Sequence, residues 1–329
     1  MQTFLLVAVL FCLVHTGLFG ESQPGPSRLD SEIDAIVSAH HGEVAFYAEN
    51  LATHQVVSRL PDIPVQTASV IKLAILYEAL EQIRESKVHF EDRISLTKPE
   101  QVQGSGVLLF CDTPLTLSFK DVLTMMVVMS DNTATNLAID HLGLMNIQAR
   151  IGKLELKDTW LYKKVFTPVP LGMIMPADYK RFGIGKTTAR EMADLMMRFV
   201  RCELAEPGTS ALPGDAVLCQ TAMKMLHLQF YRTGIPRYLD GLPGATEDSI
   251  ANKTGSLDAV RNDVGAVSTP NGMVILSIFT FNNKDHSWTQ DQEAELTIAK
   301  LARAIVAEWS PAGLAPAPRI GAAPPAGSK

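Results

Sequence analysis

Strand-like sequence lies at the two ends of this chain, and a long helical block lies between them. Near the N-terminus "EVAFYAEN" and "HQVVSRL" read as strands around a short turn at "LATH". Near the C-terminus "VRNDVGAVSTPNGMVILSIFTFN" reads as two strands around the turn "TPNG". Between them, residues 87–230 carry mostly helical patterns, among them "SFKDVLTMMVVMS", "TATNLAIDHLG" and "TAREMADLMMRFV". Thr188 with Glu191 offers a capping box for the last of these. Helical patterns also occupy residues 31–40 and the stretch "DQEAELTIAKLARAIVAEW". A sheet must therefore be assembled from both termini, with a helical subdomain inserted. That is an α+β layout and not a βαβ repeat.

A chain of 329 residues that is 47% hydrophobic can bury a sizeable core. Its net charge of -6, without a basic run, argues against a nucleic-acid partner. Residues 1–20 form an apolar block that reads as a signal peptide, followed by a polar linker over 21–30. No Lys or Arg precedes that block, so a signal anchor is the alternative. One domain is expected over 31–310, then a disordered Pro/Ala/Gly-rich tail over 311–329. The expected location is periplasmic or secreted, with no membrane contact after cleavage. Cys12 would leave with the signal, and Cys111, Cys202 and Cys219 remain. An odd number allows at most one bridge, for which Cys202 and Cys219 are the better pair. Three unlinked apolar cysteines are the other reading.

The stretch "QTASVIKLAILYEAL" poses a chemical question. From Val70 onward it reads as a buried helix, yet it carries Lys72. A buried lysine is costly unless it is paired or its pKa is depressed. Ser69 and Lys72 stand three residues apart, on one helical face. A neutral lysine amine there could take the serine proton. A serine at a helix N-terminus also meets free backbone N–H groups that favour developing negative charge. The four residues alone are a weak signal, because S-x-x-K should occur about once by chance in a chain this long, and a helix cap and a snorkelling lysine are the ordinary readings. A second S-x-x-K, from Ser95 to Lys98, precedes Pro99 and opens no apolar helix, so it reads as surface loop.

Two further stretches change the reading. "VVMSDNTATNLAI" places Ser130, Asp131 and Asn132 where one apolar helix stops and another starts. "ANKTGSLDAVRNDVG" places Lys253, Thr254 and Gly255 just before the late strands. S-x-x-K, S-D-N and K-T-G in this order mark class A β-lactamases and penicillin-binding proteins. Over roughly residues 31–310 the chain resembles the class A serine β-lactamases and their penicillin-recognising relatives, including the context "SDNTATNLAI" and the phrase "TTAREMADLM". The resemblance implies a five-stranded antiparallel sheet flanked by helices, with the site between sheet and helical subdomain. It implies Ser69 as acylated nucleophile, Lys72 as its base, Ser130 as proton donor to the leaving nitrogen, and Lys253 as a positive charge. It implies Asn132, Thr254, Gly255, Ser256 and Arg261 as substrate contacts, with the N–H groups of Ser69 and Ser256 as oxyanion hole. Asp131 is expected to hold a loop. No cofactor and no metal is implied, and the expected partner of this monomer is a β-lactam or a peptidoglycan-like small molecule.

One family feature is missing. The E-x-x-L-N loop motif, whose glutamate activates the deacylating water, does not occur between Asn132 and Lys253. Glu155, Asp158 and Asp178 are the available carboxylates. Without such a group acylation proceeds but release is slow. The three ordered motifs make a β-lactamase the leading expectation, the missing glutamate motivates a slowly deacylating D,D-peptidase or esterase as the alternative, and a non-catalytic β-lactam or wall-fragment sensor is a third reading. "GIGKTT" echoes a phosphate-binding loop, but Lys180 stands where its first glycine belongs. His40–His41 lacks further ligand spacing for a metal.

Overall fold

A computed structural model describes residues 27–169, 175–204 and 211–320. In chain order the N-terminal half contains α1 (Arg28–Ser38), β1 (Glu43–Asn50), β2 (Val56–Arg59), β3 (Val65–Gln66), α2 (Lys72–Arg84), β4 (Arg93–Leu96), β5 (Leu115–Ser118), α3 (Phe119–Val128), α4 (Asn132–Leu142) and α5 (Leu144–Lys153). The rest contains β6 (Trp160–Leu161), α6 (Tyr179–Phe182), β7 (Gly185–Thr187), α7 (Ala189–Arg201), α8 (Asp215–His227), β8 (Ile250–Leu257), β9 (Val260–Thr269), β10 (Gly272–Phe281) and α9 (Glu293–Trp309).

The main sheet has five strands in the order β2-β1-β10-β9-β8. All its pairings are antiparallel. Both ends of the chain supply it, as the strand pattern predicts. Its two faces are covered differently. One core, with Phe46, Ile278, Ile298 and Ile305, lies between the sheet and α1 and α9. The larger core, with Leu76, Phe119, Met196 and Phe279, lies on the other side and runs into the helical subdomain. K-T-G lies inside β8 and not ahead of the strands, so Lys253 is held by a ladder.

The boundaries differ from the sequence reading in three places. First, α1 begins at Arg28, inside the expected linker, because Ser27 and Asp30 form a capping box. Second, the expected disordered tail is packed over 311–320. Leu314 is buried, Ala315 N donates to Ser268 O at 2.9 Å, and Ser249 Oγ donates to Ala315 O at 2.8 Å. The backbone groups of this Pro/Ala-rich stretch are thus met by polar groups of the sheet margin. Third, only half of the capping box on α7 forms. Thr188 Oγ1 accepts from Glu191 N at 3.1 Å, but the Glu191 carboxylate accepts from Asp158 N and Thr159 Oγ1 instead. Residues 1–26, including the expected signal, and 321–329 lie outside the described residues. No helix among the described residues is long and apolar enough to cross a membrane. Cys202 and Cys219 are joined by a disulfide, and Cys111 is a free thiol.

Candidate active site

The site starts from a tight turn and not from the regular helix that the sequence suggests. Ala68–Ile71 is a single 3-10 turn, with Ala68 at φ +44°, and α2 begins only at Lys72. Three clamps hold this turn. Thr67 donates to Gly185 O through its N–H (3.0 Å) and its hydroxyl (3.1 Å). Asn262 Nδ2 on β9 donates to Gln66 O at 2.9 Å and Thr67 O at 3.1 Å. Gly255 on β8 presses so close that a Cβ there would sit 2.9 Å from Ser69 N. Ser69 is therefore fixed from the sheet side and remains partly exposed.

Ser130 sits between α3 and α4 with φ +52°, a conformation that non-glycine residues seldom adopt. It turns both its carbonyl and its hydroxyl to the fully buried Lys72, whose Nζ donates to Ser130 O at 2.6 Å and contacts Ser130 Oγ at 3.1 Å. Asn132 Oδ1 accepts from the same amine at 3.2 Å. The Asn132 Nδ2 end donates to Gln103 O at 3.0 Å, so both ends of this amide are engaged. From the sheet, Lys253 Nζ reaches Ser130 Oγ at 3.1 Å and donates to Thr254 O at 2.9 Å. Asp131 caps α4 through Ala134 N at 2.9 Å and holds the neighbouring loop through Val107 N and Leu108 N at 2.7 and 2.8 Å.

Burial decides the electrostatics. It pushes the Lys72 amine well below its ordinary pKa, the Lys253 charge pushes it further, and Asp131 opposes both. Burial brings Lys253 down to about 7, opposed by the Asp263 carboxylate. Asp263 on β9 is itself buried and raised to about 7, despite hydrogen bonds from Asn252 Nδ2 and Ile235 N.

Ser69, Ser130, Thr254, Gly255, Ser256 and Arg261 line one cleft of about 1120 Å³. Lys72, Lys253 and Asn132 stand behind its wall. A larger cavity of about 1420 Å³, beside α8, contains none of the motif residues, so the chemistry is placed in the smaller one. Arg261 lies at the cleft but its guanidinium is committed. Nη1 donates to the carbonyls of Leu257 and Val260, Nη2 donates to Ser287 O, and Nε lies 3.6 Å from Glu295. A forked grip on a substrate carboxylate is not open to it in this arrangement. None of Glu155, Asp158 and Asp178 is among the residues described as lining the cleft. Glu155 is exposed after α5, and Asp178 is held by Lys186 and Tyr162. The loop ahead of α6 is tied to α4 elsewhere, where Asn136 exchanges hydrogen bonds with the backbone of Val165 at 2.8 and 3.0 Å. Asn262, Asp263 and Trp288 are not singled out by the sequence, because their importance depends on strand register and loop packing. Among the described residues no group of three or more His, Cys, Asp or Glu side chains is placed to hold a metal.

A family model described as the beta-lactamase enzyme family matches residues 28–309. A search of curated proteins found no match. Among solved structures, a beta-lactamase from Sphaerobacter thermophilus is 26% identical with a TM-score of 0.71, covering 84% of this chain and 97% of that one. PBP-A is 23% identical with a TM-score of 0.67, covering 84% of this chain and 94% of that one. A beta-lactamase from Chitinophaga pinensis shares the fold at 17% identity and a TM-score of 0.68, covering 85% of this chain and 98% of that one.

Proposed function

The chain belongs to the beta-lactamase enzyme family, and from that premise we propose that it is a serine hydrolase, acylated on Ser69, that opens β-lactam rings. The observation that carries this reading is the double contact at Ser130 Oγ, which Lys72 and Lys253 both reach at 3.1 Å. The carbonyl oxygens of Ser130 and Asn132 can only accept. A neutral Lys72 amine gives them its two hydrogens and keeps a lone pair for an incoming O–H. In the first step Ser69 Oγ bonds to the lactam carbonyl carbon and its proton passes to Lys72. The N–H groups of Ser69 and Ser256 hold the oxyanion. In the second step the C–N bond breaks. The ring nitrogen takes the Ser130 hydroxyl proton, and Lys72 returns one to Ser130. Thr254 and Ser256 receive the substrate carboxylate, and the Lys253 charge behind the wall attracts it. Asn132 exchanges Gln103 O for the amide of the acyl side chain.

A second reading rests on the missing water activator. With no candidate carboxylate from the intervening loop lining the cleft, the acyl-enzyme persists, as in a penicillin-binding D,D-peptidase or esterase. Both readings share acylation and differ in release. Intact-mass spectrometry with benzylpenicillin, followed over time beside ring opening by absorbance, separates them. A transient adduct with continuing ring opening supports the β-lactamase. A persistent adduct with one ring opened per protein supports the second reading. Labelling that survives Ser69→Ala would overturn both.

A further inference from the structure

The lining of the cleft is partly aromatic. Trp288, Phe230 and Tyr238 all belong to it, and they are 67%, 64% and 40% exposed. Large aromatics left this open in a concave site are surface kept free for a ligand. Trp288 is also held in place. The Arg261 guanidinium lies 4.4 Å from its ring centroid, and Arg261 is fixed from below by the carbonyl contacts and Glu295 described above. The segment carrying Trp288 is pinned on both sides. Asp285 accepts from Ser287 N and Glu293 N at 2.9 Å each, and Arg237 donates to Gln290 O and Asp291.

Strand register fixes where this indole stands relative to the chemistry. Ser256 on β8 pairs with Arg261 on β9, and Arg261 carries Trp288. The proposed carboxylate contacts, Thr254 and Ser256, therefore lie on the Trp288 side of Ser69. We propose that Trp288 is a specificity-determining residue, stacking on a flat apolar group that the substrate carries beside its carboxylate. Arg261 serves as the floor of that subsite and not as the carboxylate ligand. The inference rests on acylation at Ser69, and both readings of the function include it.

The test uses two cephalosporins with the same 7-acyl group, one with methyl and one with an aryl ring at C3. Acylation rates are read by intact mass for the whole protein and for Trp288→Ala and Trp288→Phe. An aromatic stacking contact is worth about 1 kcal/mol, so Trp288→Ala is expected to slow the aryl compound about fivefold more than the methyl compound, and Trp288→Phe to keep most of the preference. Comparing ratios between variants cancels the intrinsic reactivity of the two compounds. An unchanged ratio in Trp288→Ala, or an equal loss on both compounds, would overturn the subsite while leaving acylation at Ser69 standing. Absence of any adduct on the unaltered protein would overturn the proposed function, and the subsite with it.

Discussion

Lys253 Nζ on β8 donates to Ser130 Oγ between α3 and α4 at 3.1 Å, so one charge-bearing side chain joins the sheet to the helical subdomain. Lys72 meets the same oxygen from α2. The proton positions in this cluster therefore depend on the charge of Lys253, and that charge depends on Asp263 behind it.

The first prediction concerns pH. Burial holds Lys253 at about 7, so its positive charge is present below that value and lost as pH rises through it. The Asp263 carboxylate opposes the depression. Asp263 is itself raised to about 7 and so ionises as Lys253 begins to lose its proton; Asp263→Asn removes that support and moves the loss of charge to lower pH. The amide introduced by this substitution would still offer an oxygen to Ile235 N, which now donates to Asp263 at 2.8 Å. Acylation by an anionic penicillin is expected to decline on the alkaline side, and to do so at lower pH in the variant. An uncharged ester should show a weaker alkaline decline, because it does not use the Lys253 charge. Superimposable pH profiles for the two proteins would refute the coupling. Glu295, raised by burial and facing Arg261 and Thr233, is the other carboxylate acting on Asp263, and Glu295→Gln provides the control.

Gly255 supplies the second. A Cβ at this position would meet backbone and not a movable side chain, at 2.9 Å from Ser69 N and Thr67 O and 3.0 Å from Val70 N. Gly255→Ala must displace the nucleophile turn. Misplacement by a fraction of the reacting distance is expected to lower the acylation rate by about 10²-fold. The rate constant for adduct formation checks this, with thermal unfolding of the same variant to show that the fold persists. An unaltered rate would mean that the turn tolerates the shift.

Much of this site is legible in the sequence because its motifs are local. S-x-x-K, S-D-N and K-T-G each place a polar group against an apolar element, and that conflict is visible in a single sequence. The two-ended sheet is legible because strand periodicity occurs at both termini. The contributions of Asn262, Asp263 and Trp288 are not legible. Asn262 matters because it clamps the turn before Ser69 from a distant strand, at 195 residues' separation from Thr67. The packing of the tail over 311–320 is hidden because Pro and Ala carry no periodicity, while its anchors, Ser249 and Ser268, lie at the sheet. The start of α1 is hidden because its capping box uses Asp30 where glutamate or glutamine is the usual signal.

Asp131 carries the third prediction. Its carboxylate accepts from Ala134 N, Val107 N and Leu108 N, and Gly106 packs so tightly that a Cβ would lie 2.1 Å from Asp131 Oδ2. A buried donor left without an acceptor costs roughly 1–3 kcal/mol. Asp131→Ala strands three donors and is expected to destabilise the protein by about 3 kcal/mol or more. Urea unfolding measures it. A loss well under about 1 kcal/mol would show that the loop finds other acceptors.

The last prediction concerns the Cys202–Cys219 bridge, which closes a loop with a sequence separation of 17. Cys202 ends α7 in the left-handed conformation at φ +53°, and Cys219 lies buried within α8. The bridge therefore fastens two helices of the larger core to each other. Chain-entropy arguments assign a loop of this length about 3 kcal/mol of stabilisation, through restriction of the unfolded state. The double variant Cys202→Ser with Cys219→Ser should lower the urea midpoint accordingly. Reductant should do the same to the natural protein and nothing further to the variant, because Cys111 is already a free thiol. Acylation of Ser69 should survive, since neither cysteine lines the cleft. A midpoint insensitive to both treatments would show that packing between α7 and α8 holds this connection without the bridge.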